Sequence, residues 1–412
     1  DIAFTFNTTK EKATYMDLTM LESCKALDDT TVEFKLSKPC VTFIYTVAQM
    51  GIVPEKAYSD KFGLEADQII GSGPYKMVQW DKGQQFILEA NEDYYGKQPE
   101  IKTAVFLIQD EDARFVAAKA GEVDIALTSA TLATTELDGM HVEKVESVDN
   151  RGITMPTVPD EGKTTEDGYK IGNDITADVN VRKAMCYGID RDKIIDEALN
   201  GFAKPAYSEC DGMPWWNEED VIEIDVDYAV ELLEQSGWID TDGDGIREKD
   251  GQDLKIRWLT YPSRQELPLL AEAVQATLKE IGMDVVINST ADHNSIRADS
   301  SAWDVYASAM VTAPTGDPEY FFTTHCLDSS AVNNGHYHSD KLEQLEAEMA
   351  KTFDTERRGE LAVEMQQTIL DDNAFVFCSH LKMSMISKAN VTGLTAHPCD
   401  FYEITVDLAP AE

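Results

Sequence analysis

The chain has 412 residues, of which 35 are basic and 76 acidic, so its formal net charge is −41. Such a surface repels phosphate groups, which argues against nucleic acid and anionic membranes as partners. The length predicts two or three domains, and no run of about 18 apolar residues suggests a membrane span. The acidic surface fits a secreted protein that must stay soluble, and a cation-concentrating role is the alternative.

The first third of the chain predicts hairpins followed by a short α/β unit. Residues 24–36 alternate around the turn at Asp28-Asp29 and predict a β-hairpin, and residues 57–70 predict a helix. Residues 105–108 predict a strand that leads into a helix over Asp110–Ala120. The spacing of its apolar residues predicts a buried face made of Ala113, Val116, Ala117 and Ala120. Gly121 ends this helix, and residues 123–126 predict a short buried strand.

The stretch Gly71–Gly96 reads GSGPYKMVQWDKGQQFILEANEDYYG. Its glycines and Pro74 fix a turn, because glycine supplies unusual φ values and proline locks its own. Residues 75–80 then alternate at the period of a strand, residues 81–84 form a polar turn, and a second strand begins at Phe86. By periodicity alone the stretch is an aromatic β-hairpin.

The later part of the chain alternates helices with strands, which is typical of an α/β fold. Residues 155–178 are rich in turn residues and predict a loop. In residues 180–206 one helical face is followed by a second helix, which Asp190 caps and which stops near Gly201. Further elements are expected as helices over 228–236, 267–281, 341–351 and 356–370 and as strands over 254–259, 285–287, 303–308 and 375–377.

Three word strings resemble one known family: the Gly71–Gly96 hairpin, the order D…R…GEVDIA over residues 110–126, and NVRKAMCYGIDRDKIIDEALNGFAKPA over 180–206. Together they resemble the family 5 extracytoplasmic solute-binding proteins. The resemblance implies an α/β two-lobed periplasmic-binding-protein-like clamp (type II, cluster C) with a hinge. Lobe I is expected over 1–172 plus 388–412, N-terminally incomplete relative to the family, and lobe II over 173–387.

The resemblance also implies a function. The chain would be the substrate-binding component of an ABC importer, a monomer that lies outside the cytoplasm, either periplasmic or a lipid-anchored lipoprotein. It would capture an oligopeptide, a dipeptide or a nickel chelate between its lobes and deliver it to a membrane permease. No catalytic motif is present, so an enzyme is not expected. A peptide hydrolase and a structural or adhesive surface module are the alternatives.

The best ligand candidate is the segment SAMVTAPTGDPEYFFTTH over residues 308–325, because binding residues gather on loops at strand ends. Its candidate side chains are Thr312, Pro314, Asp317, Tyr320 and His325. In peptide-binding relatives the loop usually supplies an aspartate for the ligand's amino group just before the Asp-Pro pair. This chain has Thr-Ala-Pro-Thr there, which is closer to the nickel branch, although residues 45–55 lack the arginines expected to hold a chelator. The ligand therefore stays open between peptide and chelate.

Three further candidate ligand or metal sites each have an alternative explanation in which the residues serve only the fold. His325 could offer an imidazole to a nickel chelate, or it is a hydrogen-bonded histidine. Trp215 could line the cleft, or it packs in a core. Asp240, Asp242 and Asp244 occupy the first, third and fifth positions of a calcium loop, but the twelfth is Gly251 instead of glutamate. This segment is either a plain turn or a structural Ca²⁺ site completed by Glu248 or Asp250, and no cofactor is required.

Overall fold

The structure is a computed structural model, and it describes residues 1–10, 18–58, 65–129, 132–396, 402–403 and 406–411. The N-terminal elements are α1 (Ile2–Thr9), β1 (Leu21–Ala26), β2 (Val32–Leu36), α2 (Phe43–Gln49), β3 (Tyr75–Asp81), β4 (Gln85–Ala90), β5 (Thr103–Leu107), α3 (Glu111–Lys119), β6 (Ile125–Thr128) and β7 (Met140–Thr154).

The central elements are α4 (Val179–Gly188), α5 (Arg191–Leu199), β8 (Ala203–Pro205), α6 (Val226–Gln235), β9 (Glu248–Lys249), β10 (Gln252–Asp253), β11 (Lys255–Thr260), α7 (Glu266–Glu280), β12 (Asp284–Ser289), α8 (His293–Arg297) and β13 (Val305–Val311). The last are α9 (Glu319–Phe321), which continues as a π-helical turn, α10 (Asp340–Met349), α11 (Thr355–Asp371), β14 (Phe375–Lys388), β15 (Val391–Thr392), β16 (Thr395–Ala396), β17 (Tyr402–Glu403) and β18 (Ala409–Pro410).

The predicted aromatic hairpin is confirmed as β3 and β4, which pair antiparallel from Tyr75 with Ala90 to Asp81 with Gln85. A third strand, β5, pairs with β4. The rings of Phe86 and Phe106 stack across these two strands with centroids 4.4 Å apart. Cross-strand aromatic pairs of this kind stabilise a sheet at one register.

A seven-stranded sheet in the order β12-β11-β13-β7-β14-β6, with β8 beside β14, organises most of the chain. Its two longest strands, β7 and β14, pair antiparallel from Met140 with Lys388 to Thr154 with Phe375. We call them the long strands. Strand β6 pairs with β14 at one end of this pair, and β13 pairs with β7 at the other. The long strands therefore connect two parts of the molecule through one continuous sheet.

The two faces of the sheet pack against different hydrophobic cores. On one face, Ile153, Ala307 and Val376 belong to a core built with helices α4–α7. On the other face, Met310, Phe375 and Phe377 belong to a core built with helices α9–α11. Because side chains alternate along a strand, neighbouring residues of the long strands serve opposite faces.

Several local predictions can be compared with the structure. The Asp190 cap is confirmed, since its side chain accepts a hydrogen bond of 3.0 Å from the backbone N–H of Lys193. The predicted apolar face of α3 is wrong: Val116 is 63% exposed, and the buried residues are Phe115, Ala117 and Ala118. Phe115 and Ala118, three residues apart, belong to one hydrophobic core and form the buried face instead.

The helix predicted over 57–70 lies partly outside the described residues. On either side of that gap the chain forms only short 3₁₀ turns, Glu55–Ala57 and Ala66–Gln68. Among the described residues, no helix is long and apolar enough to cross a membrane.

Candidate functional site

The long strands change neighbours near their middle, and the ladder between them is irregular there. Register shifts occur between Phe377 and Ser379 and between His380 and Lys382. An extra residue in one strand bends it locally and re-aims its side chains. The change of neighbouring strands and the irregular pairing occur in the same part of the long strands. The polar residues there lie where the two parts of the molecule meet.

One face of the long strands, which we call the cavity face, opens into a cavity of about 470 Å³. Residues Asp149 and Arg151 lie on this face. Helix α3 and strand β6 line the cavity from one side, and the segment that begins α7 lines it from the other. The lining residues are Gln109, Asp110, Glu111, Arg114, Leu127, Thr128, Ser129, Asp149, Arg151, Ser263, Arg264, Glu266, Leu381, Lys382 and Ser384.

The charge at the floor of this cavity is internally compensated. The side chain of Arg151 is only 1% exposed, and its Nη1 lies 2.6 Å from Asp149 while its Nη2 lies 2.8 Å from Glu266. Its Nε also donates to Glu266, at 2.8 Å. Burial alone lowers the pKa of Arg151, but these two carboxylates raise it above its ordinary value. Arg151 therefore stays charged and is already occupied by protein partners.

A second group of cavity residues lacks such partners. The side-chain hydroxyls of Thr128 and Ser384 and the Nε of Arg114 are buried and make no hydrogen bond to any residue that the structure describes. Thr128 is 5% exposed and Ser384 2%, and they lie directly opposite each other on β6 and β14. A buried polar group without a partner costs about 1–3 kcal/mol, so such groups require an explanation.

Two acidic residues lie at the rim of the cavity, where helix α3 begins. Glu111 has a raised pKa, first because of burial and second because of the negative charge of Glu266. Asp110 precedes the helix as its N-terminal residue. The rim therefore carries negative charge within the same helix that supplies Arg114.

The opposite face of the long strands, which we call the loop face, carries Asn150 and His380, which lie directly opposite each other. Asn150 is 0% exposed, and within the described part of the chain neither polar atom of its side-chain amide has a hydrogen-bond partner. The ring nitrogens of His380 also make no hydrogen bond to a described residue, although Nε2 lies 3.4 Å from the carboxylate of Asp211. At Gly152 a Cβ would lie 2.7 Å from the Asn150 oxygen and 3.0 Å from the Val376 carbonyl, so this position requires glycine.

The predicted ligand segment follows β13 on this loop face. Thr312 is buried, and its hydroxyl donates to the Val148 carbonyl at 2.9 Å. Pro314 is half-buried, and Tyr320 is 39% exposed. None of the predicted ligand residues lines the cavity.

Asp317 is committed to a buried ion pair. Its carboxylate accepts from Nη2 of Arg358 at 2.6 Å and from Nε at 3.1 Å. Glu319 pairs with the same guanidinium at 2.8 Å. The structure therefore gives Asp317 a role in holding the loop against helix α11.

His325 and Trp215 lie at the core behind this segment. The imidazole of His325 lies 5.1 Å from the ring of Phe321. Burial, with a smaller contribution from Arg297, lowers its pKa to about 4, so the imidazole is neutral at pH 7. Trp215 is half-buried and packs against the α9–α11 core.

The carboxylates of Asp240, Asp242, Asp244 and Glu248 lie within 4.8 Å of one another. The three aspartates lie on the loop before β9, and Glu248 is the first residue of β9. Asp240 accepts from the N–H groups of Gly243 at 2.7 Å and Gly245 at 3.1 Å. Glu248 accepts from Thr241 at 2.9 Å. The loop is thus closed by its own hydrogen bonds, and its oxygens also form a compact acidic group.

Comparison with known proteins decides the family. The model of the bacterial extracellular solute-binding proteins, family 5 (middle), matches residues 1–333. The chain belongs to this family. The resemblance inferred from the three word strings is thereby confirmed.

Two curated relatives illustrate the range of the family. The oligopeptide-binding protein AppA of Bacillus subtilis is 26% identical over 348 residues, which cover 81% of this chain and 61% of AppA. The nickel-binding protein NikA of Staphylococcus aureus is 26% identical over 290 residues, which cover 70% of this chain and 55% of NikA. The chain therefore spans little more than half the length of these two relatives.

Solved structures confirm the two-lobed α/β clamp fold. NikA of S. aureus in complex with Ni(L-His)₂ superposes with a TM-score of 0.76 at 21% identity, over 99% of this chain and 83% of NikA. AppA of B. subtilis in complex with a nonapeptide gives 0.76 at 23% identity, over 100% and 83%. At this identity the likeness concerns the fold. The lobe boundaries near residues 172 and 387 stay predictions.

Proposed function

We propose that this protein is the solute-binding component of an ABC importer and that it closes on its solute between the two lobes. The solute would contact the loop face of the long strands. The observation that supports this placement is the pair Asn150 and His380, beside the segment that begins at Thr312. Both are buried polar side chains, and neither has a hydrogen-bond partner among the residues that the structure describes. A bound solute would supply the missing partners, and hinge closure would remove the water.

The solute is a nickel chelate or a peptide, and the loop favours the chelate. Pro314 stands in the stretch before Asp317-Pro318 where peptide-binding relatives usually carry an aspartate, and Asp317 itself is occupied by Arg358. Neutral imidazoles are good nickel ligands, and His325 is kept neutral by burial. His380 offers another imidazole, on the loop face of the long strands.

Membership of the family supports a role outside the cytoplasm, and the monomeric state, the anchoring and the Ca²⁺ site are further parts of this proposal. The protein would act outside the cytoplasm as a monomer, periplasmic or lipid-anchored, and hand its solute to a membrane permease without catalysing a reaction. The four carboxylates of the Asp240 loop would hold a structural Ca²⁺ ion. That ion would stabilise the loop and take no part in solute binding.

Native mass spectrometry of freshly purified protein, with metal analysis of the same sample, tests the solute class. We expect a co-purified nickel or cobalt chelate. A distribution of peptide masses would support the peptide branch instead. The binding assay that follows uses Ni²⁺ with excess L-histidine as one probe and a tripeptide mixture as the other, with calorimetry as the readout.

Variants test the position of the site. Asn150→Leu and His380→Leu are expected to weaken binding of the preferred probe at least about tenfold, since each removes a hydrogen bond in a dry cleft. His338→Leu is the matched control, because His338 is exposed and pairs only with surface acids. Wild-type affinity in both loop-face variants would contradict the proposed site, and turnover of the tripeptides would contradict a binding-only role.

A further inference from the structure

One buried carboxylate of this protein lacks the arginine partner that the others have. Five acidic residues are buried in the part of the chain that the structure describes. Four of them pair with an arginine: Asp149 with Arg151, Asp304 with Arg257, and both Asp317 and Glu319 with Arg358. The fifth is Glu209, which is 2% exposed and has no cation among the described groups that act on it. A buried carboxylate without a cation tends to hold a proton, because its charged form is costly there.

The contacts of Glu209 are neutral. Nε2 of Gln366, on α11, donates to its Oε1 at 3.0 Å and to Sγ of Cys210 at 2.7 Å. Oε2 of Glu209 is buried and makes no hydrogen bond within the described ranges. Glu209 does not line the cavity of the cavity face, so no solute there meets this oxygen. A proton on the carboxyl group removes the charge and with it most of the cost of burial.

Gln366 also holds a longer segment, residues 207–217, against α11. Its Oε1 accepts a hydrogen bond of 3.2 Å from the backbone N–H of Asn217. At the other end of the segment, Asp211 accepts from the N–H groups of Tyr207 at 2.6 Å and Ser208 at 3.0 Å. One buried amide therefore contacts the segment at both ends, and Glu209 is one of its contacts.

We propose that Glu209 is a proton-dependent switch, which keeps the 207–217 segment on α11 while it is neutral and releases the segment when it ionises. Ionisation would leave a buried negative charge beside Asp211, with a neutral amide as its hydrogen-bond donor. Burial, opposed by the hydrogen bond from Gln366 and reinforced by the charge of Asp211, raises the pKa of Glu209 to about 7. The switch therefore operates near neutral pH.

The titratable groups around Glu209 come from three elements. They are Cys210 and Asp211 on its own segment, Cys326 on the π-helical turn after α9, and His380 on β14, which faces Asp211. Burial raises the pKa of both thiols well above its ordinary value, so both are neutral at pH 7. A histidine also titrates near neutral pH, so the test must separate His380 from Glu209.

The direction of the pH effect follows from the raised pKa. The stabilisation is fully present below about pH 4.5, the ordinary pKa of a glutamate, and is lost as the pH rises through about 7. A protein that acts outside the cytoplasm, as proposed above, meets the pH of its surroundings. Because Asp211 lies 3.4 Å from His380, release of the segment would also change the loop face.

The isosteric variant Glu209→Gln cannot ionise and should keep the segment on α11 at every pH. By calorimetry without solute, it should melt about 3–6 °C above the wild type at about pH 8.5 and within about 1 °C of it at about pH 5. Glu218→Gln changes an exposed glutamate on the following turn and is the matched control, which should follow the wild type at both pH values. Equal or lower melting of Glu209→Gln at the higher pH would overturn the switch.

Tryptophan fluorescence tests the release itself, because Trp215 on this segment packs against the α9–α11 core. The emission of the wild type should shift to longer wavelength between about pH 5 and about pH 8.5, and Trp215→Phe should remove this shift. Glu209→Gln should show no shift. A shift that persists in Glu209→Gln and disappears in His380→Gln would assign the titration to the histidine and contradict the proposal.

This switch and the importer function can fail separately. Both measurements use the protein without solute, so a negative result leaves the proposed solute site standing. Loss of solute binding in the loop-face variants, or its absence, leaves the pH dependence of melting unchanged as evidence for the switch.

Discussion

The buried polar side chains on the two faces of the long strands differ in whether they have hydrogen-bond or ion-pair partners. At the floor of the cavity face, Arg151 is fully paired with Asp149 and Glu266. On the loop face, one residue along the same strand, the side-chain amide of Asn150 and the imidazole of His380 make no hydrogen bond in the described part of the chain. Paired groups of this kind hold the two parts of the molecule together, and unpaired ones remain available to a ligand.

The cavity face itself contains both kinds of group within a short distance. Its floor is an ion-pair cluster, while its wall at β6 and β14 carries the unpartnered Thr128 and Ser384. Burial alone therefore does not identify a binding residue in this fold. The decisive property is whether the polar group already has a hydrogen-bond or ion-pair partner within the protein.

The largest effect is expected from breaking the paired cluster. Arg151→Met would leave Asp149 and Glu266 as buried negative charges without a compensating cation, which should lower the free energy of unfolding by about 3–5 kcal/mol. Denaturant titration measures this change. Arg357→Met, on the surface of α11, is the matched control and should change little.

A second set of variants sharpens this test. In the Arg151→Met background, Asp149→Asn with Glu266→Gln removes the two uncompensated charges and should recover a substantial part of the lost stability. If Arg151→Met cost less than about 1 kcal/mol, water would already be screening the cluster, and the contrast between the two faces would lose its basis.

A smaller loss of stability is expected at Asp317, where the sequence predicted a ligand residue and the structure places a buried ion pair. Asp317→Asn keeps the shape of the side chain but removes one of two carboxylates from Arg358, which should cost about 2–3 kcal/mol. Solute affinity should stay at its wild-type value. Asp328→Asn, in an exposed pair with His338, is the control.

Measuring both stability and solute affinity of the Asp317→Asn variant distinguishes a structural role of Asp317 from a ligand-binding role. A structural role lowers the denaturation midpoint and leaves calorimetric affinity intact. Loss of affinity without loss of stability would restore Asp317 as a ligand residue, as its position after β13 suggested.

The sequence predicted much of the local structure because the relevant signals are local. The Gly71–Gly96 hairpin and the Asp190 cap depend on residues a few positions apart, and both are confirmed. Strand β7 was not predicted. Its valines Val142, Val145 and Val148 recur every third residue, which matches neither the strand period nor a sustained helix period.

The cavity could not be predicted because distant parts of the chain build it. Thr128 and Ser384 become neighbours only through the pairing of β6 with β14, and Arg151 meets Glu266 only across the sheet. Arg114 does stand in the D…R…GEVDIA string, so one cavity residue lay within a motif that the sequence had already singled out. That string indicates the family, and nothing in it marks Arg114 as a residue of the cavity.

The smallest change in stability is expected at the Asp240 loop, where the carboxylates are exposed and not buried. Four carboxylates within 4.8 Å repel one another, and Ca²⁺ would relieve that repulsion. Weak calcium modules bind at about 10⁻⁴–10⁻³ M, so 10 mM Ca²⁺ should raise the melting temperature by about 1–3 °C, as measured by calorimetry against an equal concentration of Mg²⁺. Asp244→Asn should remove most of this shift. If Ca²⁺ and Mg²⁺ change the melting temperature equally, or if neither changes it, the loop is a plain turn without a Ca²⁺ site. In that case the hydrogen bonds from Gly243 and Gly245 to Asp240 are sufficient to hold it, because exposed carboxylates that already accept hydrogen bonds need no ion.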